Sequence, residues 1–350
     1  MRKDLVKKIL VVLLSICVLV AVALLDPNVE NISEALEQVT RGWLLLAAVS
    51  AICVYLFDML LYQRICSLMH YRQSFRESVI TTMIGFFYSA LTPFQSGGQP
   101  MQVIQMHTRG IPIGTATSVL TVKFLAWQLG VTVLATIGLA ALWETVVTAT
   151  AGEKVFFIIG YVINAAILII AFFVLLRPSL ILRAGHAILR FLHRHKIIRK
   201  PERFEKASAS WDNTINDYKK AIDFARSHKR GMLSVLLLGC LEAFCYMLVT
   251  YFIYRAFSLN DFTLIHVVLL QSLLTVAVSF IPLPGASIAS EGGFYVVFKE
   301  LFTAVTRFPA MLLWRLFTYY FNIIFGLIAV IVDGFSKSKH ASAVKGEEGA

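Results

Sequence analysis

Residues 92–100 read TPFQSGGQP, and how they are read decides the fold. They follow an apolar run, VITTMIGFFYSAL (79–91), and a second interruption of the same kind, PLPGASIASEGG, begins at Pro282. Proline lacks a backbone N–H, and glycine allows backbone shapes closed to other residues, so both stretches should end helices. The rest of the 350-residue chain is built for lipid. It is 58% hydrophobic and only 15% charged, with a mean hydropathy of +0.73. Average soluble domains are about 25% charged. Several apolar runs reach the ~20 residues that cross a hydrocarbon core. The expected fold class is an all-α polytopic membrane protein, with about 6–8 transmembrane helices and two Pro/Gly-broken re-entrant units.

Charge orders the segments. The net charge is +11, which in a membrane chain points to basic cytoplasmic loops rather than to nucleic acid. The N-terminal apolar run from Ile9 to Leu25 has 17 residues and no clear small-x-small cleavage site after it. It is read as an uncleaved first span over 7–25, with a signal peptide as the alternative. Acidic residues then mark an outer loop, and a second span covers 43–62. Residues 77–91 make too short a helix to cross at 1.5 Å per residue. Basic residues lie on both sides of the segment, which suggests a hairpin that enters, breaks at Thr92-Pro93 and returns. A full span ending at Pro93 is the alternative. Spans at 115–142 and 155–176 follow.

The segment 177–230 carries 14 Lys or Arg against 5 Asp or Glu and is expected in the cytoplasm, as is the N-terminus. It reads either as an amphipathic helix on an anionic leaflet or as a solvated loop. Spans at 232–254 and 262–281, the second break, a short apolar piece at 294–304 and a last span at 308–332 complete the chain. One integral membrane unit over 1–335 is expected, with a disordered cytoplasmic tail at 336–350. If the two broken units enter from opposite faces, they form inverted repeats.

An open backbone in lipid costs several kcal/mol for each unpaired group, roughly, so breaks persist only where protein or a wet cavity surrounds them. Half-helix N-termini there offer free N–H groups suited to a phosphate or carboxylate. The two breaks therefore read as two walls of a polar site, against the plainer reading of kinked helices or tight loops. Ionisable residues inside apolar runs are Asp58, Lys123, Glu242, Glu291 and Arg315, each costing ~3 kcal/mol or more if it faces lipid. They either pair with one another or contact a ligand. Asp58 and Arg315 lie nearest the expected span ends and have the weakest claim. Gln95, Ser96, Gln99, Gln102, Ser287 and Ser290 offer uncharged hydrogen bonds, while Trp127 and Trp314 read as packing or interfacial residues.

The sequence carries no GxxxxGK[ST] loop, HExxH, GxSxG or Cys/His cluster. Neither a metal nor a cofactor is expected. The five cysteines have no paired metal spacing and read as buried thiols.

The motifs SALTPFQSGGQPMQ, followed by RGIPIGTAT, and FIPLPGASIASEGGF resemble the paired motifs of the lysylphosphatidylglycerol synthase transmembrane, or flippase-like, family. The resemblance covers about residues 5–333. It implies Pro93, Gly97, Gly98, Gln99 and Pro100, then Pro282, Pro284, Gly285, Glu291 and Gly292, as site residues, beside Lys123, Glu242 and Arg315 from the charge reading. In some relatives this unit is fused to a cytosolic domain that transfers lysine from lysyl-tRNA to phosphatidylglycerol. The membrane unit there is associated with moving the product lipid outward, which confers resistance to cationic peptides. Many stand-alone relatives are labelled phosphatidylglycerol lysyltransferase. The present sequence holds no such catalytic domain and has Ile288 where many relatives have glycine.

The resemblance and the residues together lead to the expectation of a lipid translocase in the bacterial plasma membrane, acting on an anionic or aminoacylated phospholipid. Phosphatidylglycerol lysyltransferase, with tRNA as partner, is the alternative. A membrane partner of a separate synthase is a third reading, and an oligomer is compatible with all three.

Overall fold

The computed structural model describes residues 32–148, 150–195, 201–279, 281, 283 and 288–347. The expected first span at 7–25 lies outside them, as do Pro282, Pro284, Gly285 and Ser287 of the second break. Among the described residues the chain is helical, with no strand. A short α1 (Ile32–Glu37) leads to α2 (Arg41–Leu68) and α3 (Phe75–Ala90). A 3-10 turn at Pro93–Gln95 precedes α4 (Gly98–His107). Then come α5 (Ile113–Ala141), α6 (Trp143–Thr148), α7 (Ala151–Leu176), α8 (Pro178–Arg194) and α9 (Pro201–Ser227). Helices α10 (Lys229–Ala256) and α11 (Leu264–Val278) lead to the second break. After it stand α12 (Ala289–Val297), α13 (Ala304–Arg315), a π turn at Leu316–Tyr320 and α14 (Phe321–Glu347).

Among the described residues five helices are long and apolar enough to cross a membrane: α2, α5, residues 151–173 of α7, α10, and the run 304–334 through α13 and α14. The protein is a multi-pass membrane protein of all-α class. The helix backbone of α14 continues to Glu347. Alanine, lysine and glutamate in that stretch are good helix formers.

The core is a bundle in which α10 packs along both α2 and α5. Small residues make the second contact possible. A side chain at Gly239 would run into the backbone of Ala126, at 2.5 Å from its carbonyl carbon. Close backbone approach of this kind drives helix association where lipid removes the usual hydrophobic gain. Helix α7 instead exposes Ile158, Ile159, Val162, Ile169, Ile170, Phe172 and Phe173, an apolar surface suited to lipid. Two capping boxes start helices: Ser74 with Glu77 at α3, and Thr150 with Glu153 at α7.

The segment 177–230 is not a loose loop. Helices α8 and α9 pack on each other, with Gly185 against the Trp211 ring and His186 Nε2 2.7 Å from Asp212 Oδ1. Helix α9 in turn docks on α5, burying Tyr218 and Ile222. The amphipathic reading holds for α8, which leaves Leu180, Ile188 and Phe191 exposed.

Candidate functional site

The first break is a helical hairpin. Helix α3 ends at Ala90, and α4 starts at Gly98 and runs back along it. The hairpin is tight because Gly98 has no side chain: a Cβ there would strike Ser89 Oγ and lie 2.6 Å from the Gly85 carbonyl oxygen. Gln102 Nε2 donates to the Thr81 carbonyl at 3.0 Å and ties the two arms together. The turn satisfies much of its own backbone. Thr92 Oγ1 accepts from Gly97 N at 2.8 Å and donates to the Tyr88 carbonyl at 2.7 Å, while Gln95 N and Ser96 N donate to Thr92 and Pro93 carbonyls. Phe94 and Gln95 take φ of 54° and 56°. Two successive left-handed residues turn the chain without glycine, at a strain cost of ~1–2 kcal/mol each.

The second break joins α11 to α12. Gly293 lies close to Leu274 and Val278, so the short arm packs back on α11. Ile288, the residue before α12, has φ 71° and ψ −53°. Phe294, Phe298, Phe302 and Trp314 cluster behind this arm and hold α12 against α13.

Both hairpins open on one cavity of about 910 Å³. Gln95, Ser96, Gln99 and Pro100 reach it from the first break, and Ser279 and Ser290 from the flanks of the second. Helix α4 starts at Gly98, and its N-cap Gly97 offers no side-chain cap, so its end N–H groups lie beside these lining residues. The charged residues converge here too: Asp58, Lys123, Glu242 and Arg315 all line the cavity.

Two ion pairs are formed. Lys123 Nζ, on α5, lies 2.8 and 2.7 Å from the two carboxylate oxygens of Asp58 on α2, and Thr82 donates to Asp58 Oδ1 at 2.9 Å. Arg315 Nε, at the end of α13, donates to Glu291 Oε1 at 2.7 Å. Both residues of the second pair are almost sealed, at 4% and 2% exposure, and Arg315 lies over the rings of Trp314 and Tyr319. Glu242 stands apart. It is buried at 4% exposure, and its Oε2 accepts no hydrogen bond among the described residues.

The structure thus brings Gln99, Pro100, Lys123, Glu242 and Arg315 to the cavity wall, with Glu291 directly behind Arg315. Gly98 acts one step back, through hairpin packing. Pro93 and Gly97 belong to the turn but do not line the cavity, and Gly292 lies outside it, exposed, with nothing within 4 Å of a would-be Cβ. Trp127 and Trp314, read as packing or interfacial residues, both line it. Asp58 and Arg315, given the weakest claim, each hold one half of an ion pair. The reason is length: α2 continues to Leu68, and α13 runs through the π turn into α14, so neither residue is near a helix end of the span.

Sequence reading missed an uncharged polar set. Gln128 Nε2 and Thr132 Oγ1 both donate to Asn164 Oδ1, at 2.8 and 3.0 Å. Thr250 Oγ1 donates to Gln271 Oε1 at 2.6 Å, and Gln271 Nε2 donates to Thr275 at 3.1 Å. Asn322 accepts from Tyr55 at 2.6 Å. The π turn beside Arg315 is a feature found disproportionately at functional sites. The available signal was the presence of Gln and Asn within apolar runs.

A protein family described as the lysylphosphatidylglycerol synthase TM region matches residues 8–326. The chain belongs to this family. A curated relative, the UPF0104 membrane protein of Archaeoglobus fulgidus, is 26% identical over 302 residues, covering 83% of this chain and 86% of its own. The family match spans both broken hairpins and the charged helices between them, so the whole cavity is family territory.

Proposed function

We propose that the protein is a lipid translocase, which passes the polar head of a membrane lipid through the cavity while the tails stay in the bilayer. One observation carries this reading: two broken hairpins, far apart in sequence, and four charged residues, Asp58, Lys123, Glu242 and Arg315, converge on a single cavity of about 910 Å³. A space of that size, with charged and amide groups set in a largely apolar wall, suits a headgroup with its attached tails. The α4 N-terminus and Lys123 offer positive charge to a phosphate. The substrate class is an anionic or aminoacylated phospholipid, such as lysyl-phosphatidylglycerol, and a synthase separate from this chain would supply the aminoacylated form. The excess of basic residues in α8 and α9 supports a cytoplasmic position for that hairpin and for the N-terminus, in a bacterial plasma membrane.

The test is a leaflet-resolved assay in vesicles holding the purified protein, with phosphatidylglycerol and lysyl-phosphatidylglycerol offered separately. Lipid should move between leaflets faster than in empty vesicles. Lys123→Ala should slow it about tenfold, as expected for loss of a contact to a charged group worth ~1.5 kcal/mol. Equal rates with and without protein would reject the translocase. New lysyl-phosphatidylglycerol in a host that makes none would establish the transferase reading instead.

A further inference from the structure

Among the described residues the charges around the cavity do not balance. Arg315 is matched by Glu291 and Lys123 by Asp58, which leaves Glu242 as an extra acid. Glu242 sits in the middle of α10 and lines the cavity, and its Oε2 is sealed from solvent without a hydrogen-bond donor among the described residues. The charged groups that act on it are Asp58 from α2 and Lys123 from α5. Toward the cavity, α11 presents Gln271 and Thr275, which do not titrate, and α13 ends in Arg315, already held by Glu291. On α10 itself the nearest titratable neighbours are Cys240, Cys245 and Tyr246, all neutral as acids in their ordinary state. A second bare carboxylate on the wall that already holds Asp58, with one ammonium for two acids, would be strongly unfavourable.

We infer that Asp58, Lys123 and Glu242 form a neutral triad that holds one exchangeable proton, and that this proton couples headgroup movement to a proton gradient. In the arrangement seen, Lys123 pairs with Asp58 and the proton resides on Glu242. In the alternative arrangement the ammonium moves to Glu242 and the proton resides on Asp58. Both arrangements have two acids, one cation and one proton, so the exchange leaves the net charge unchanged. Asp58 and Glu242 stand on α2 and α10, which pack extensively along each other. A small shift between these helices moves the shared ammonium from one acid to the other. Protonation then reports which side the cavity serves, and the proton enters or leaves when the triad meets water. Glu291, the other buried acid near the cavity, is excluded from this exchange by its sealed pair with Arg315.

This inference rests on the translocase reading for its use but not for its existence, and the experiment separates the two. Protein in vesicles is given an imposed pH difference. Fluorescently labelled phosphatidylglycerol reports lipid movement, and a trapped pH dye reports proton flux. The expected result is lipid movement accelerated several-fold by one sign of the gradient, with protons entering the dye compartment. Glu242→Gln should bring the ratio of rates, with and without gradient, to about one. Glu144→Gln, an exposed acid outside the cavity, should keep the full ratio. Lipid movement that ignores the gradient, or a Glu242→Gln protein that still responds, overturns the triad and leaves the translocase standing. Proton uptake without lipid movement supports the triad and rejects the translocase. A sodium gradient that substitutes for the proton gradient also overturns it. Infrared difference spectra on the intact protein give a readout independent of transport. A protonated-carboxyl band at neutral pH should be present, and Glu242→Gln should remove it. Absence of that band from the parent protein sinks the proposal.

Discussion

The two broken hairpins solve one problem in opposite ways. The tip of the first is closed by uncharged groups, with the Arg109–Glu77 ion pair at its base: Thr92 ties its turn, Gly98 lets the arms touch, and Gln102 bridges them. The second carries a charge in its short arm. Glu291 stands in the first turn of α12, where an acid favours the helix dipole, and Arg315 neutralises it from α13. The tip of the first hairpin therefore holds itself together, with α14 bracing its base through Asp333, while the second depends on an ion pair to another helix. Asp58 and Lys123 come from α2 and α5 and remain in contact with the open cavity. One wall presents amides and hydroxyls, and the other presents a locked ion pair. A cavity of this kind can offer free contacts on one side and a fixed wall on the other.

The largest test of that contrast is Arg315→Ala. It leaves the Glu291 carboxylate buried at 2% exposure with no cation, a change worth about 3–5 kcal/mol. The thermal melting temperature in detergent should fall sharply. Replacing Glu291 as well, with Gln, should recover much of the loss, because the stranded charge is then gone. A single variant as stable as the parent would mean that the second hairpin does not depend on the pair.

The first hairpin should break by packing instead. Gly98→Leu places atoms where Ser89 Oγ and the Gly85 carbonyl already lie, and overpacking of this kind costs ~1–3 kcal/mol. The backbone carbonyl cannot rotate away as a side chain can, so the upper end is expected. Cross-linking between cysteines placed on the two arms checks it: the reaction seen in the parent hairpin should be lost. A parent-like cross-linking rate in Gly98→Leu would show that the arms have room to spare.

Much of this arrangement was legible in the sequence, for physical reasons that also mark the limit. Long apolar runs gave α2, α5, α7 and α10, and Pro and Gly inside apolar surroundings gave both breaks. The pairing of charges was not legible. Lys123 and Asp58 are 65 residues apart, and which acid an ammonium meets depends on helix rotation that no local pattern encodes. Asn164 and Gln271 escaped for the same reason: a single amide in an apolar helix has no period to reveal the face it occupies. Asp58 and Arg315 were ranked low because helix ends were drawn where hydropathy fell, and the helices run on past those points.

A smaller effect concerns backbone strain. Ile288 sits at φ 71° with its side chain 54% exposed, so it has little packing to lose. A β-branched residue there costs ~1–2 kcal/mol, and glycine would remove that cost while adding freedom to the unfolded chain. Ile288→Gly should raise stability by about 1 kcal/mol. It should read as a modest increase in melting temperature, and a decrease would mean that Ile288 makes contacts that outweigh its strain.

The smallest effect separates two glycines that look alike in the motifs. Gly98 and Gly292 both belong to family motifs, yet only Gly98 meets a neighbour where a side chain would grow. Gly292 lies inside α12 with open space around it, and its N–H already bonds the Ile288 carbonyl at 2.8 Å. Alanine suits a helix interior better than glycine by ~0.5–1 kcal/mol. Gly292→Ala should therefore leave stability equal or raise it by about 0.5 kcal/mol, and lipid movement should keep the parent rate. Stable folding with lost movement would mean that α12 must come closer to another surface during the cycle than it does in this state. Gly292 would then be needed for a contact made only when the cavity changes the side it serves.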